Sequence, residues 1–445
     1  MQIEERIDSA TLNDLRSFEP DEMLTDLDQI AESPKVSLRD LYYRWERTNW
    51  SVQELDFEQD TRDWNALGPD VTERLLWVMS MFFHGEECVT ATLAPWVNSA
   101  PTEEMQIFLS TQLADEGRHT IFFDRFFEEV VGAAGDMRQR LDWSRPRINA
   151  GFQKLFYELL PAVAHEVNTH PRDPVVFARG VALYHILLEG TLAVPGQKYI
   201  LAFCRDRDVL PEFRSGFTAV ARDESRHVGA GVRILQDLIR MDASCVQAVQ
   251  ELIVEALPFA SQQFQPPNAD FTYLTVLGYQ SAELFRFGIE SLAKRLRVAG
   301  VPFPKTNPMR LPTLGAEPVF PEREMTPVQQ MLRPMRDQLK PAMVFQGLPM
   351  AFNADAAKKL RATYRFDITG EDGGTWTVAV NDGAMQVAEG SDGEHDWRLE
   401  MDTDTWIDIS TGELMGQEAF MLGRVTVEGD PTVGIRFDEI FTPQA

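Results

Sequence analysis

The chain has 445 residues, more than one ordinary domain, and its length predicts two or three. Its net charge of -27 argues against nucleic acid and anionic membrane surfaces as general partners, while 44% hydrophobic residues are enough to build buried cores. The polar N-terminus lacks a signal-peptide pattern, no apolar run is long enough to span a membrane, and three widely spaced cysteines form no Cys-x-x-Cys pair, so we expect a cytoplasmic protein without disulfides or thiolate metal sites.

Four long helices are predicted, because apolar residues recur every three or four positions in four separate stretches. The first has Asp70 or Thr72 near its cap and Pro95 near its end, and the second has a start signal in Thr102 and Glu104 after Pro101. The third is apolar and should be kinked by Pro195, and the fourth opens at Pro211. Four long helices in an otherwise helical region predict a bundle.

The composition changes near residue 300, where a proline-rich stretch without periodicity predicts a linker. We therefore expect one domain over residues 1–299, a linker over 300–325 and a second domain over 326–445. Shorter helices are expected within the first domain at roughly Phe152–Val167 and Asp270–Arg297.

The second domain has the pattern of an α+β fold. A short helix in "TPVQQMLRPMRDQL" precedes alternating segments bounded by glycine, asparagine or aspartate, which predict strands. Two of these strands should form a hairpin that turns at Asn381, Asp382 and Gly383. A helix in "DTWIDISTG" and a strand in "GRVTVEGD" complete the pattern.

The phrase Asp-Glu-x-Arg-His occurs twice, each time within a predicted long helix. Residues three apart share a helix face, so Glu116 points the same way as His119, and Glu224 the same way as His227. One such pair is usually a solvated ion pair, but two copies on different helices of a bundle are half of a known metal-site pattern. That pattern adds one glutamate from each of two other helices and holds two metal ions bridged by carboxylates.

The two further glutamates can be sought on the first and third helices. Glu189 is the only carboxylate in the apolar run of the third helix, where burial is costly unless it is compensated, and a metal ion is the simplest compensation. The first helix offers Glu86 and Glu87, which diverge by about 100° and cannot both face the core. Periodicity favours Glu86, because the neighbouring aromatic and β-branched residues lie on its side.

Residues beside the motif admit two interpretations. Asp115 and Asp223 are either surface acids or acceptors that orient an imidazole N–H, and the second interpretation is favoured for Asp223. Arg118 and Arg226 either neutralise the carboxylates from outside or form ordinary surface ion pairs. The remaining histidines of the first domain fall outside the ligand pattern and are interpreted as structural: His84, His165, His170 and His185.

These motifs carry a family resemblance. "NWSVQELDFEQDTRDWNAL", "GEECVT", "DEGRH", "YHILLEG" and "DESRH" follow one another in order, and the stretch from Asn49 to Arg240 resembles the ribonucleotide reductase small-subunit-like branch of the ferritin-like superfamily. Within that branch it is most similar to the ligand-binding oxidases, which carry a manganese/iron or di-iron site. "GEECVT" matches a family motif in which the first glutamate is the ligand, which independently favours Glu86.

The resemblance implies a ligand set and a chemistry. It implies two metal ions, Fe/Fe or Mn/Fe, with dioxygen as co-substrate, and oxidation of a C–H or similar bond in an apolar molecule. The sequence does not distinguish the two metal pairs, because both accept these ligands. One ion is expected at Glu86, Glu116 and His119 and the other at Glu189, Glu224 and His227, with Glu116 and Glu224 as bridges.

Further residues bear on the resemblance. The family joins a valine to a tyrosine by a metal-generated ether crosslink, and the matching positions hold Val89 and Tyr184, which alternatively only pack in the core. The true small subunit usually carries a radical tyrosine where this chain has Phe123. The di-iron N-oxygenases have an extra histidine where this chain has Val220. The resemblance therefore favours the ligand-binding oxidases over either relative.

The C-terminal region, from about Thr326 to Ala445, resembles the sterol carrier protein type two family. The resemblance rests on "FDITGEDGGTWTVAVNDGAMQVAEG" and above all on "AFMLGRVTVEGD". It implies a hydrophobic tunnel for lipids or acyl chains; a dimerisation domain is the alternative.

The sequence thus predicts a mainly α protein, a ferritin-like helical bundle followed by a smaller α+β sterol-carrier-like domain. The expected function is a dioxygen-activating oxidase or oxygenase acting on a hydrophobic, lipid-like or acyl substrate, supplied with electrons by an unidentified donor. The alternatives are a lipid-binding or transfer protein with a structural, self-crosslinking metal centre, and a radical-generating ribonucleotide reductase small subunit. A homodimer is one expectation for the oligomeric state.

Overall fold

In the computed structural model, residues 3–33, 36–390 and 393–441 are described, and they divide into two units. The first unit extends to Gln263 and also includes Leu274–Tyr279 and Ser291–Pro302. The second comprises Phe264–Tyr273, Gln280–Glu290 and the described residues from Phe303 onward. The chain thus passes between the units more than once, and the predicted boundaries at residues 299 and 326 stay a prediction.

The first unit is built from helices. In chain order they are α1 (Ile3–Asp8), α2 (Leu12–Leu15), α3 (Pro20–Glu32), α4 (Leu38–Arg47), α5 (Glu58–Leu67), α6 (Pro69–Thr92), α7 (Ala94–Ser99), α8 (Glu103–Glu129), α9 (Met137–Ser144), α10 (Ala150–Phe152), α11 (Leu160–Thr169), α12 (Pro174–Val181), α13 (Val194–Arg207), α14 (Pro211–Met241) and α15 (Cys245–Gln263). A following helix, α16 (Ser281–Ala299), belongs to the second unit in its first half and to the first unit in its second half.

The four predicted long helices are present as α6, α8, the stretch α12–α13, and α14. Thr102 caps α8 by accepting a hydrogen bond from the backbone N–H of Met105 at 3.3 Å, as the sequence predicts. Pro211 lies in the first turn of α14, where its missing N–H costs no helical hydrogen bond. The predicted helical bundle is therefore confirmed.

Between α12 and α13 the chain forms a π-helical segment, Ala182–Ala193. The sequence predicts a kink at Pro195, but Pro195 lies in the first turn of α13 and the irregularity lies upstream of it. Among the described residues, the stretch Pro174–Arg207 has the length and apolar composition of a membrane span, and 83% of its most apolar part is buried within the protein. This burial is that of a core helix.

The shorter predicted helices have mixed outcomes. The helix expected near Phe152 forms as α10, a π segment over Gln153–Leu159, and α11. The helix expected from Asp270 is wrong at its start, because α16 begins only at Ser281. The preceding chain forms tight turns, one of which ends at Gly278 with a φ of 92° that a helix cannot contain.

The second unit contains a mixed sheet with helices. Its strands are β1 (Thr306–Met309), β2 (Arg361–Thr369), β3 (Gly374–Asn381), β4 (Ala384–Glu389), β5 (Trp397–Asp402) and β6 (Thr426–Gly429). Their order in the sheet is β1-β6-β5-β2-β3-β4, with β2 parallel to β5 and the other neighbours antiparallel. The helices of this unit are α17 (Pro327–Leu332), α18 (Pro341–Ala351), α19 (Thr403–Ser410), α20 (Gly416–Met421) and α21 (Pro431–Glu439). The predicted α+β class is confirmed.

The hairpin and the linker show what local sequence determines. Asn381 pairs with Ala384, and the two residues between them have φ angles of 49° and 84°, which is the conformation of a type I′ turn.

The proline-rich stretch predicted as a linker is not without structure, since β1 lies within it. Proline is tolerated there because β1 is an edge strand.

Close packing of α14 against its neighbours depends on glycine. A Cβ atom at Gly216 would lie 2.4 Å from a ring carbon of Phe122 and 2.8 Å from a methyl carbon of Leu55, and both side chains are buried. Only a residue without a side chain therefore allows α14 to pack at this distance.

We expect Gly216→Ala to lower the free energy of unfolding by roughly 1–3 kcal/mol, because the added methyl group overpacks this contact. Urea unfolding of the full chain, followed by far-ultraviolet circular dichroism, measures the change. Gly117→Ala in α8 is the matched control: a Cβ there meets no atom of the described residues within 4 Å, so it should be neutral or stabilise by up to about 1 kcal/mol. Equal effects of the two substitutions would contradict the packing argument.

Candidate metal centre

The bundle brings all six predicted ligands together in two groups that share two carboxylates. Within each group the candidate ligand atoms lie within 4.8 Å of one another. The first group is Glu86, Glu116, His119 and Glu224, and the second is Glu116, Glu189, Glu224 and His227. The shared residues, Glu116 and Glu224, are the two that were predicted as bridges.

Each group draws on several helices. Glu86 comes from α6, Glu116 from α8, Glu189 from the π-helical segment and Glu224 from α14. Glu87 belongs to neither group and lines a separate cavity. The prediction of Glu86 rather than Glu87 as the ligand therefore agrees with the geometry. All four clustered carboxylates are at most 7% exposed.

Both histidines turn one ring nitrogen into the cluster. Nδ1 of His119 lies 3.4 Å from Oε2 of Glu86 and 3.3 Å from Oε1 of Glu224. Nδ1 of His227 lies 3.2 Å from Oε1 of Glu116. Both Nδ1 atoms, together with Oε2 of Glu189 and Oε2 of Glu224, are buried and have no hydrogen-bond partner within residues 3–33, 36–390 and 393–441. Buried nitrogen and oxygen atoms that face each other without partners fit a site for metal cations.

The other ring nitrogens reach across to the opposite motif. Nε2 of His119, on α8, lies 3.3 Å from Oδ2 of Asp223, on α14. Nε2 of His227, on α14, lies 3.2 Å from Oδ2 of Asp115, on α8. Both aspartates are fully buried, so the interpretation as surface acids is wrong for both. The sequence favours an orienting role for Asp223 more than for Asp115, but both aspartates contact the Nε2 atom of a histidine in the same way.

The two arginines of the motifs join these aspartates. Nη2 of Arg226 donates to Oδ2 of Asp115 at 3.1 Å and also donates to Asp223. Arg118 contacts Oδ1 of Asp115 at 3.0 Å and Oδ2 of Asp223 at 3.2 Å. Arg226 is fully buried, so its interpretation as a surface ion pair is wrong.

Two tryptophans near the N-terminus complete the hydrogen bonding of the aspartates. Nε1 of Trp45 donates to Oδ1 of Asp115 at 2.9 Å, and Nε1 of Trp50 donates to Oδ2 of Asp223 at 2.8 Å. The sequence analysis assigns no role to either tryptophan. An indole N–H near a buried acid has no spacing signal, so the contact emerges only from the fold.

The remaining predicted and overlooked side chains are also placed. The hydroxyl of Tyr184 donates to Oε1 of Glu116 at 2.9 Å, and Val89 is buried on α6 one turn beyond Glu86. Nε2 of Gln112, which sequence reasoning overlooks, donates to Oε1 of Glu189 at 2.9 Å.

Burial shapes the protonation of the carboxylates. It raises the pKa of Glu86 to about 8 and the pKa of Glu189 well above its ordinary value. Burial acts in the same direction on Glu116, but contacts with His119 and His227 hold the pKa of Glu116 well below its ordinary value. Without cations, the cluster therefore retains protons on some carboxylates.

The histidines respond in the opposite sense. Burial alone would lower the pKa of His119 and of His227, but the charges of Glu86 and Glu224 and the hydrogen bonds to the aspartates raise both well above the ordinary value. Four carboxylates match two divalent cations in charge, while the two aspartates match the two arginines. The residues therefore fit a pair of divalent metal ions bound by oxygen and nitrogen.

Two family models match the chain. The model described as ribonucleotide reductase, small chain, matches residues 33–262, which include all six clustered side chains. The model described as SCP-2 sterol transfer family matches residues 347–442. Both resemblances predicted from the motifs are thereby confirmed.

Solved structures share the fold of the first part of the chain. An R2-like ligand-binding oxidase from Sulfolobus acidocaldarius is 24% identical, with a TM-score of 0.51, over 59% of this chain and 89% of its own. A point mutant of an R2-like ligand-binding oxidase with an anaerobically reconstituted Mn/Fe cofactor is 23% identical, with a TM-score of 0.52, over 59% and 93%. Another mutant, with an aerobically reconstituted Mn/Fe cofactor, is 22% identical, with a TM-score of 0.52, over 59% and 94%. The likeness confirms the predicted ferritin-like bundle.

Proposed function

The chain belongs to the ribonucleotide reductase small-chain family, and from this premise we propose that it is a dioxygen-activating oxidoreductase with a dinuclear Mn/Fe or Fe/Fe centre. The observation that carries the proposal is the pair of buried ligand groups sharing two carboxylates. The Mn/Fe cofactor of the structurally similar ligand-binding oxidases supports the choice of metals.

We propose that the six clustered side chains are the ligands. One ion would be held by Glu86, Glu116 and His119, and the other by Glu189, Glu224 and His227, with Glu116 and Glu224 bridging. Bound in this way, the metal pair would supply the redox equivalents and Lewis acidity that dioxygen activation requires.

The chain's own residues orient the ligands. Asp223 accepts a hydrogen bond from Nε2 of His119, so the lone pair of Nδ1 faces the cluster, and Asp115 does the same for His227. Asp223 thus acts as a positioning residue. The rings of Phe82 and Phe123, each four residues along its helix from a proposed ligand, stack with centroids 5.9 Å apart.

The choice among the functions considered rests on particular residues. Phe123 occupies the position where a radical-generating small subunit usually has tyrosine, so the oxidase is preferred. A lipid-transfer protein with a structural metal centre differs in its kinetics, because its centre would react with dioxygen only once. Repeated oxygen consumption in the presence of a reductant and a hydrophobic substrate is therefore the decisive test.

We expect Glu189→Ala to lose one of two bound metal ions and to abolish oxygen consumption, because it removes a ligand from the second group. Elemental analysis and an oxygen electrode measure the two effects on protein loaded with iron and manganese. Glu87→Ala is the matched control, since this glutamate lies on α6 outside both groups and should retain both ions. Unchanged metal occupancy in Glu189→Ala would contradict the ligand assignment.

We also propose that Val89 and Tyr184 become crosslinked when the loaded protein meets dioxygen. The new bond would join Oη of Tyr184 to Cβ of Val89, with loss of the phenolic O–H and the Cβ–H hydrogens. The two electrons and two protons removed would pass to dioxygen. Both side chains are buried, and the tyrosine hydroxyl contacts Glu116, which favours chemistry at this oxygen.

Peptide mass spectrometry after aerobic metal loading should therefore show a species joining the segments of Val89 and Tyr184, lighter by two hydrogens. Tyr184→Phe removes the attacking oxygen and should give only the separate peptides. A wild-type protein whose peptides remain separate after repeated aerobic loading would exclude the crosslink.

The second unit offers a site for the substrate. It contains a cavity of about 530 Å³, a size suited to a small organic ligand. The lining is largely apolar and includes Leu332, Val344, Leu348, Ile409 and Phe437. Together with the sterol-transfer family match, this cavity supports our proposal that the C-terminal domain binds a lipid-like or acyl molecule and supplies it for oxidation.

We expect Gly347→Phe to weaken the binding of a fluorescent long-chain fatty acid to the full chain without changing its metal content. Gly347 lines the cavity, and a Cβ there meets no described atom within 4 Å, so the new side chain begins in open space and its ring would take up part of the cavity. Fluorescence titration measures the affinity. Gly315→Phe is the control, because Gly315 is exposed, also has open space and does not line the cavity. Equal fatty-acid affinities for both variants would argue against this cavity as the binding site.

The same proposal bears on the electron donor, the cellular location and the oligomeric state of the protein. Repeated turnover requires an external electron donor. We propose a cytoplasmic location, because Cys88, Cys204 and Cys245 are buried as free thiols. A homodimer remains our proposal for the oligomeric state.

A further inference from the structure

A chain of two hydrogen bonds extends outward from Glu189. Gln112, on α8, donates from Nε2 to Oε1 of Glu189 at 2.9 Å. Oε1 of the same glutamine lies 3.0 Å from Nε2 of His185, which belongs to the π-helical segment one turn before Glu189. Gln112 and His185 are fully buried, and neither belongs to the ligand groups.

The direction of these hydrogen bonds is fixed by chemistry. A carboxylate that binds a metal ion is ionised and can only accept, so in the loaded protein Gln112 presents its NH₂ group to Glu189. Its carbonyl oxygen then faces His185 and requires a donor there, which places a hydrogen on Nε2 of that ring. Burial lowers the pKa of His185 to about 3, so the ring is neutral and carries only one such hydrogen. The histidine thereby prevents the glutamine amide from turning over.

The surrounding backbone leaves space for this histidine. A Cβ atom at Gly231 of α14 would lie 2.2 Å from Cβ of His185 and 2.7 Å from Cγ. Any larger residue at position 231 would displace the imidazole. The opposite oxygen of Glu189, Oε2, is buried and has no hydrogen-bond partner among the described residues.

We propose that Gln112 and His185 form a positioning pair that ties one oxygen of Glu189 to the protein and leaves the other for a metal ion. This inference rests on the proposed function and adds two residues to it. The pair limits the rotation of the Glu189 carboxylate and favours metal binding through Oε2. It also distinguishes the two metal positions, because the amide of Gln112 acts on the second group alone.

The test is titration of the metal-free full chain with Co²⁺, following the visible absorption of the ion and its stoichiometry. We expect the wild type to bind two ions. Gln112→Leu should weaken one of them by about 10-fold or more, the effect usual for partners of metal ligands, and should change the absorption of that ion alone. Gln236→Leu is the matched control: it also loses an amide hydrogen bond, to the carbonyl of Val298 at 2.7 Å, and should retain both constants.

Two variants of the histidine test the pair without altering the glutamine. His185→Phe removes the donor that fixes Gln112 and should reproduce the weakened ion. His185→Gln can still donate an N–H to the carbonyl of Gln112 and should restore binding toward the wild type. A purely structural role would predict equal effects of the two, so this comparison also decides the question if Gln112→Leu does not fold.

The possible failures are distinguishable. A wild-type chain that binds no Co²⁺, Mn²⁺ or Fe²⁺ would overturn the proposed function and this inference with it. A wild type that binds two ions, with unchanged constants and absorption in Gln112→Leu and His185→Phe, would overturn the positioning pair alone.

Discussion

The burial of four carboxylates at one point inside the helical bundle is the constraint on which the first unit depends. An isolated buried carboxylate is strongly unfavourable, and four close together also repel one another. Within the part of the chain that the structure describes, the ion pairs of these four glutamates are all with His119 or His227. The two nearby arginines are instead paired with Asp115 and Asp223. The compensation for the four glutamates is thus left to protons in the metal-free chain and to divalent cations in the loaded one.

The surroundings explain how such a cluster can be held in one geometry. The glutamates come from separate helices, and each histidine is fixed through its outer nitrogen. The packing that brings the helices together is equally strict, since Gly216 admits Phe122 and Gly231 admits His185 at distances no other residue would allow. Close helix packing, hydrogen bonding and charge therefore select the same arrangement of side chains.

Most of the candidate ligands of this centre can be predicted from local sequence patterns. The spacing of Glu116 and His119 places both on one face of a helix, and the isolation of Glu189 in an apolar run marks it as unusual. Other features are invisible to such reasoning. The π-helical segment has no composition of its own, because it differs from an α-helix only in its backbone hydrogen bonding. The contact of Gln112 with Glu189 joins residues 77 positions apart, so only tertiary structure can reveal it. In the second unit, the dense prolines and missing periodicity of residues 300–325 predict a linker, and only the place of β1 at the sheet edge explains why this proline-containing strand can pair.

Each Asp-Glu-x-Arg-His motif orients the histidine of the other motif, and this cross-pairing has a consequence for sequence evolution. Each motif contains the histidine of one group and the aspartate that orients the histidine of the other, so neither copy is self-sufficient. A substitution of the aspartate in one motif changes the orientation of the histidine in the other motif. Its effect on the centre therefore depends on which residue occupies that histidine position. We therefore expect Asp115 and His227 to be retained or replaced together in evolution, and Asp223 and His119 likewise, although more than a hundred residues separate the members of each pair.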